Sequence, residues 1–203
     1  LFAPQNKGKI VVLSEMRDTV GIILRSQGVN LATVTEDQFM NAVDFLEKKI
    51  ADGWIRGVKG NEYAEDLTSG DATAVIGWSG DMFILKSENE GKFDFAIPES
   101  GGTISGDNMM IPSTVSAEAK ANTEKLINYY YDPAVAAEVA AYVNYVCPVK
   151  GAQAEMEKID PKLAASEFIF PSAKTMANLS VFRALTPAEE TKWTEAFQKA
   201  AGN

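Results

Sequence analysis

The chain contains no histidine, a single cysteine and no long uninterrupted run of apolar residues. The absence of histidine excludes imidazole-based zinc sites, Ser-His-Asp triads and Cys-His dyads. Because Cys147 stands alone, no internal disulfide and no cysteine cluster for a metal can form. No stretch of about 18 apolar residues is present, so the sequence predicts no membrane-spanning helix. We therefore expect no metal site and no cofactor.

Positive charge is also scarce. The 203 residues include 28 acidic and 19 basic side chains, which gives a formal net charge of −9. Proteins bind nucleic acids and anionic membranes through stripes of Lys and Arg, so we expect neither partner. An acidic surface raises the local concentration of cations. The alternative is that the acidic balance serves solubility alone.

The first half of the chain alternates between short apolar runs and amphipathic segments. Short apolar runs are typical of buried strands, and apolar residues spaced three to four apart are typical of helices. Strands alternating with helices imply crossover connections, and hence an α/β fold with a largely parallel sheet. Such sheets bind ligands beyond the carboxyl ends of their strands. The pattern predicts strands at 9–14, 72–78 and 93–98, and helices at 18–27, 35–53, 61–67 and 80–86.

The second half of the chain is predicted to be largely helical. Ser116 begins one predicted helix, which runs to about residue 131, and Asp132-Pro133 begins the next, which runs to about 145. Residues 158–182 show no regular period. The segment Thr186-Pro-Ala-Glu-Glu190 has the pattern of a capping box and predicts the start of the last helix.

Acidic and aromatic side chains lie at the carboxyl ends of two predicted strands, 9–14 and 72–78. Glu15 and Asp18 follow the first strand, where carboxylates can accept hydrogen bonds from a ligand ammonium. The alternative is that Asp18 caps the next helix and Glu15 is solvated. Trp78 ends another strand, where an indole can form a cation–π wall for an alkylammonium, with an ordinary buried aromatic as the alternative. We interpret Asp81 as a helix N-terminal charge, with a place on the pocket rim as the alternative.

Four segments carry a resemblance to a known family. They are Leu13-Ser-Glu-Met-Arg-Asp18, Val75-Ile-Gly-Trp-Ser-Gly-Asp81, Gly101-Gly-Thr-Ile-Ser-Gly-Asp-Asn-Met-Met-Ile-Pro112 and Tyr129-Tyr-Tyr-Asp-Pro-Ala-Val-Ala136. Their order and spacing resemble the spermidine/putrescine-binding proteins of bacterial ABC importers. The likeness runs from about Lys7 to the C-terminus and covers the latter part of that family's mature chain.

The resemblance implies an α/β fold of the periplasmic-binding-protein type II class, with the second lobe built on a parallel-rich sheet flanked by helices. Residues 1–104 would form the α/β core of the second lobe. Residues 105–155 would be a helical segment belonging to the first lobe. Residues 156–203 would return to the second lobe and end in the C-terminal helix.

The resemblance also implies ligand-binding roles. In the family, the positions of Glu15 and Asp18 supply carboxylates to the ligand amines, and a tryptophan at the position of Trp78 stacks on the ligand. Asp107 falls on an aspartate that grips an amine. Ser105 stands where the family typically has a second aromatic wall, which leaves a looser or differently shaped pocket.

Two further positions are assigned with alternatives left open. Tyr145 falls where the family uses a tyrosine from a helix-to-loop turn, with core packing as the alternative. Arg183 falls where polyamine binders tend to have an amide, and a guanidinium facing the pocket would bind a carboxylate. An ω-amino acid such as 4-aminobutanoate is then the alternative ligand. A structural salt bridge from Arg183 to one of the predicted site carboxylates is the competing interpretation.

The function implied is that of the solute-binding component of an ABC importer. Such a protein would capture putrescine or spermidine by hinge closure and deliver it to a membrane permease, without enzymatic activity. A carboxylate-dependent hydrolase is disfavoured because Glu15 and Asp18 lie within one helical turn, whereas hydrolase carboxylates flank the scissile bond. We expect a periplasmic or extracellular, membrane-associated location. Because residues 1–4 lack the features of a signal peptide, we expect that signal upstream.

The segment from 108 to 149 carries a large apolar load. In the family, these residues pack against strands of the first lobe that lie outside the matching region. Large exposed apolar patches favour association. We therefore expect the 203-residue chain to associate with itself or with a separate N-terminal piece, and by itself to bind ligand weakly or not at all.

Overall fold

The computed structural model describes residues 1–202, which form two compact units. Unit 1 comprises Leu1–Trp78, Phe95–Ser105 and the chain from Ala177 onward, and unit 2 comprises Ser79–Asp94 and Gly106–Met176. The elements in chain order are β1 (Ile10–Leu13), α1 (Met16–Ser26), α2 (Glu36–Ala51), β2 (Ile55–Lys59), α3 (Tyr63–Ser69), β3 (Ala74–Val75), α4 (Ser79–Glu88), β4 (Gly102–Thr103), α5 (Ala117–Tyr130), α6 (Pro133–Val143), α7 (Ala152–Ile159), α8 (Pro161–Ala164), α9 (Ala173–Ala177), β5 (Leu179–Ser180) and α10 (Pro187–Ala201), with short 3₁₀ turns at Pro4–Asn6 and Leu31–Thr33.

The units divide the chain differently from the predicted boundaries at 104 and 155. Residues 79–94 and 156–176 group with unit 2, because they pack with the helices that follow residue 106. The assignment of each segment to a lobe of the parent fold stays a prediction.

Unit 1 is built around a three-stranded sheet in the order β2-β1-β3, and both pairings are parallel. Ile10 of β1 lies opposite Ile55 of β2 and Ala74 of β3. All four residues of β1 are buried, as expected for a central strand with neighbours on both edges and helices on its faces. β4 and β5 form a separate parallel pair.

Three helices of unit 1 supply most of its core. The α1 and α2 helices bury the apolar residues expected from their sequence periodicity, including Val20, Leu24, Phe39 and Leu46. Trp193 of α10 is fully buried and stacks on Phe39, with ring centroids 4.2 Å apart. The C-terminal helix is thereby joined to the α/β core.

Side-chain caps begin several helices where the sequence predicted them. Thr35 caps α2 in a reciprocal capping box with Gln38, and Thr186 does the same for α10 with Glu189. Ser116 caps α5, and Asp132 caps α6 ahead of Pro133. These starts were predictable because a cap uses residues within one turn of the helix.

The strand predictions were less accurate. The expected strand at 93–98 is wrong, since these residues form no regular element. The predicted strand at 72–78 is reduced to the two residues of β3, and β2 was not predicted. The sequence of β2, Ile-Arg-Gly-Val-Lys, has a weak apolar pattern, and its pairing with β1 depends on tertiary packing.

Unit 2 has a small core formed by α6, α7 and the segment after α8. Its buried residues are Ala136, Ala137, Ala140, Ala152, Met156, Ala164 and Ile169. Helix α5, in contrast, has no buried residue among those that the structure describes. Leu126 of α5 is 69% exposed, and Tyr142 of the next helix, α6, is 86% exposed. Much of the apolar surface of unit 2 therefore faces outward.

Candidate functional site

The junction between β1 and α1 places acidic side chains at the carboxyl end of the central strand. The backbone N–H of Ser14 donates to the Lys59 carbonyl (2.9 Å), which extends the pairing with β2 by one residue. Glu15 occupies the N-cap position of α1 without a side-chain cap. The Ser14 hydroxyl donates to both oxygens of the Glu15 carboxylate, at 3.1 and 3.2 Å. The buried Thr19 hydroxyl donates to the Leu13 carbonyl (2.7 Å), which fixes the start of the helix on the strand.

Asp18 lies in the first turn of α1, where a negative charge is favoured by the helix dipole. It is not the N-cap residue, so the interpretation of Asp18 as a helix cap is wrong. Burial raises the pKa of the Asp18 carboxyl above its ordinary value. The neighbouring negative charge of Glu15 raises this pKa further. Hydrogen bonding with the Trp78 side chain and the positive charge of Arg17 both lower it.

Trp78 reaches Asp18 because of the way β3 pairs with β1. Val75 lies opposite Val11, and the Ile76 N–H donates to the Val11 carbonyl (3.0 Å), so the chain leaves the sheet at the carboxyl end of β1. The indole N–H is the only side-chain donor of tryptophan, and it is directed to the Asp18 carboxylate. The structure therefore brings together Asp18 and Trp78.

A depression of about 380 Å³ on unit 1 includes three of the predicted site residues. Glu15, Asp18 and Ser105 all line it. Arg17 and Glu190 also line it and form an ion pair, with Arg17 Nη1 3.0 Å from Glu190 Oε1. The remaining wall comes from α1 and α10: Met16, Thr194, Phe197 and Gln198, together with Ser14.

Tyr145 belongs to a second polar group, within unit 2. Its hydroxyl donates to Asp81 Oδ1 (2.9 Å). Burial raises the pKa of the Tyr145 phenol, and the adjacent Asp81 and the charge of Asp107 raise it further. The ring lies directly over Gly80, where an added Cβ would come within 2.2 Å of a ring carbon. Only glycine at position 80 allows the ring this close to the first turn of α4.

Asp81 has a further role in this group beside the one that its position in the sequence predicted. It lies in the first turn of α4, as predicted from its helix N-terminal position, but it also accepts the Tyr145 hydrogen bond. The signal available in the sequence was its place three residues after Trp78. Asp107 is exposed, and its predicted grip on an amine stays a prediction.

Arg183 is engaged by residues other than the predicted site carboxylates. Its Nε donates to the Val34 carbonyl (2.8 Å), and Nη2 pairs with Glu189 Oε1 (2.6 Å). The guanidinium also lies 5.0 Å from the centroid of the Trp193 ring. The predicted salt bridge from Arg183 to a site carboxylate is wrong in its partner: Arg183 pairs with Glu189, the N3 residue of the α10 capping box.

Replacement of Glu189 by glutamine should make the thermal stability of the protein depend less on pH in the acid range. The Arg183 guanidinium lowers the pKa of Glu189 to about 2 from an ordinary 4.5. A lowered pKa in the folded state stabilises the protein above pH 4.5, and this contribution is lost as the pH falls toward 2. Thermal unfolding from pH 2 to 7 should therefore give Glu189→Gln a lower Tm at pH 7 and a similar Tm near pH 2. Glu195→Gln, an exposed change on the same helix, should behave like the wild type; equal pH profiles for all three proteins would contradict this assignment.

Within residues 1–202, no group of three or more histidine, cysteine, aspartate or glutamate side chains is placed to hold a metal ion. Across the same residues, no helix has both the length and the apolar character to cross a membrane.

The chain matches bacterial extracellular solute-binding proteins over residues 1–166, and it belongs to that family. It is 25% identical to the spermidine/putrescine-binding periplasmic protein of Escherichia coli over 178 residues, which cover 88% of this chain and 49% of that protein. It is also 25% identical to the putrescine/agmatine-binding protein of Pseudomonas aeruginosa over 175 residues, covering 84% of this chain and 46% of that protein. The chain thus spans about half the length of these curated relatives.

Solved structures agree with these sequence relatives. A spermidine/putrescine ABC transporter protein of Listeria monocytogenes superposes with a TM-score of 0.82 at 28% identity, covering 98% of this chain and 59% of that one. The spermidine/putrescine substrate-binding protein of Streptococcus pneumoniae gives a TM-score of 0.77 at 23% identity over the same shares, which bears on the fold alone. The resemblance carried by the four sequence segments and the predicted periplasmic-binding-protein fold are both confirmed.

Proposed function

We propose that this protein is the solute-capturing component of a polyamine importer and that it binds putrescine or spermidine. The observation that carries the proposal is the contact between the Asp18 carboxylate and the Trp78 indole at the carboxyl ends of neighbouring strands. The relatives named above support the same ligand class.

The chemistry of this group suits a primary alkylammonium. A carboxylate forms short, charge-assisted hydrogen bonds with an ammonium group. The face of an indole attracts a cation and packs against the methylenes beside it. Within residues 1–202, the ion pairs use carboxylates other than Glu15 and Asp18. Both carboxylates are therefore available to a cationic ligand.

The remaining parts of the proposal follow from the family. We propose that Asp107 and Tyr145 also contact the ligand, that capture occurs by hinge closure with no bond made or broken, and that a membrane permease receives the ligand. A periplasmic or extracellular location accords with the printed names of the relatives. The ω-amino acid alternative is not favoured, because Arg183 is engaged by Glu189 and the relatives bind polyamines.

Calorimetry on the full-length protein tests the ligand class directly. Putrescine or spermidine should bind and raise the Tm, since a ligand that binds only the folded state stabilises it. Incubation with either amine should leave it chemically unchanged. Binding of 4-aminobutanoate without binding of either polyamine would overturn the proposal.

The exposed apolar surface of unit 2 leads to a prediction about the 203-residue chain alone. Light scattering should show a dimer or larger assembly, because Leu126 and Tyr142 present apolar side chains to solvent on α5 and α6. The double change Leu126→Gln with Tyr142→Ser should shift the population toward monomer. Glu138→Gln, an exposed polar change on α6, is the matched control. A wild-type chain that stays monomeric over a wide concentration range would contradict this prediction.

A further inference from the structure

Trp78 is held at two separate points of its structure. Its backbone N–H donates to the hydroxyl oxygen of Tyr63 (3.1 Å), and its side chain lies beside the Asp18 carboxylate and lowers the pKa of that group. The Tyr63 and Trp78 ring centroids lie 6.1 Å apart, with the planes tilted by 60°. The hydrogen bond to Tyr63 therefore holds the main chain of Trp78, and the Asp18 carboxylate is the polar neighbour of its side chain.

Tyr63 is itself firmly placed. It is the first residue of α3, and its side chain is fully buried. Helix α3 is joined to the sheet through the buried Asp66, whose Oδ2 lies 2.5 Å from Lys59 Nζ at the end of β2. The Tyr63 hydroxyl is thus positioned by the same sheet that positions Asp18.

Gly77 allows the phenol to reach the main chain of its neighbour. A Cβ at Gly77 would lie 3.0 Å from a Tyr63 ring carbon and 3.3 Å from the hydroxyl oxygen. Both distances are shorter than ordinary van der Waals contact, so even alanine would press the phenol away from the Trp78 N–H.

We infer that Tyr63 is a positioning residue for ligand binding, which acts by fixing the backbone of Trp78 while Asp18 fixes the indole. The inference rests on the proposed function, in which the face of Trp78 meets an alkylammonium. A ring that is already oriented loses little further conformational freedom when ligand arrives, and binding is tighter for that reason. Tyr63 contributes to affinity through Trp78 and need not touch the ligand.

The inference can be tested first without any ligand. In the ¹⁵N-tryptophan-labelled 203-residue chain, the indole resonance of Trp78 is assigned with Trp78→Phe, and Trp54 and Trp193 serve as internal references. The wild-type Trp78 indole N–H should be rigid, with an order parameter of about 0.85, and Tyr63→Phe should lower that order parameter to about 0.6. Gly77→Ala should act in the same direction. The wild-type indole resonance should shift as the neighbouring Asp18 carboxyl titrates, and Asp18→Asn should abolish that shift.

The second measurement is the putrescine affinity of the full-length protein by calorimetry. Tyr63→Phe leaves the Trp78 N–H without its acceptor and should weaken binding about tenfold, the equivalent of one lost buried hydrogen bond. Thr35→Ala removes the α2 cap, far from Trp78 in sequence, and should lower stability by a similar amount. It should leave both the indole order parameter and the putrescine affinity unchanged, which separates positioning from a general loss of stability.

The two hypotheses fail in distinguishable ways. If Tyr63→Phe changes neither the indole order parameter nor the affinity, or if Thr35→Ala changes them equally, the positioning role is overturned. If Tyr63→Phe loosens the indole but the wild type does not bind putrescine, the positioning of Trp78 is supported and the polyamine ligand is overturned.

Discussion

Asp18→Asn should weaken putrescine binding to the full-length protein by about 2–5 kcal/mol, the range for removing one partner of a buried charge pair. The large effect is expected because Asp18 is half-buried and takes part in no ion pair among residues 1–202. An ammonium would supply the missing positive charge in a place where water screens it less.

The substitution is chosen to remove charge while keeping shape. Asparagine retains a side-chain oxygen that can accept from the Trp78 indole, so the ring keeps its anchor while the negative charge is lost. Asp44→Asn is an exposed substitution on α2 that gives the protein the same net charge as Asp18→Asn. The Asp44→Asn protein should bind putrescine as the wild type does. Affinities that are equal for Asp18→Asn, Asp44→Asn and the wild type would make Asp18 a structural residue.

Trp193→Ala should lower the free energy of unfolding by about 3–5 kcal/mol, the usual cost of truncating a buried aromatic side chain. Trp193 is fully buried, stacks on Phe39 and lies beneath the Arg183 guanidinium. Alanine would leave a cavity between α2 and α10 and would also remove the ring on which the cation packs.

Trp193→Phe provides the matched control. Among residues 1–202, the Trp193 Nε1 atom has no hydrogen-bond partner, so phenylalanine also removes an unsatisfied polar group. We expect it to cost much less than alanine. Urea unfolding followed by circular dichroism gives both values, and an alanine variant within about 1 kcal/mol of the wild type would contradict the assigned role of Trp193 in the core.

Local sequence signals were sufficient for the framework of unit 1. The apolar run of β1, the periodicity of α1 and α2, and the capping boxes at Thr35 and Thr186 all appear in the structure near their predicted positions. Such signals lie within a few residues of one another, so the sequence displays them directly. β2, β4 and β5 escaped prediction because their pairing partners are remote in the chain.

In the candidate site, too, some features follow from local sequence and others only from tertiary packing. The sequence by itself determined which chemistry was available, namely carboxylates at Glu15 and Asp18 and an indole at Trp78 beside apolar strands, together with the family resemblance. Only the tertiary structure decided the partners: Tyr145 with Asp81, 64 positions apart, and Arg183 with the Val34 carbonyl, 149 positions apart. Residue types follow from the sequence, but a hydrogen bond forms only within about 3 Å. Residues that are remote in the sequence come within that distance only when the sheet and its helices pack together.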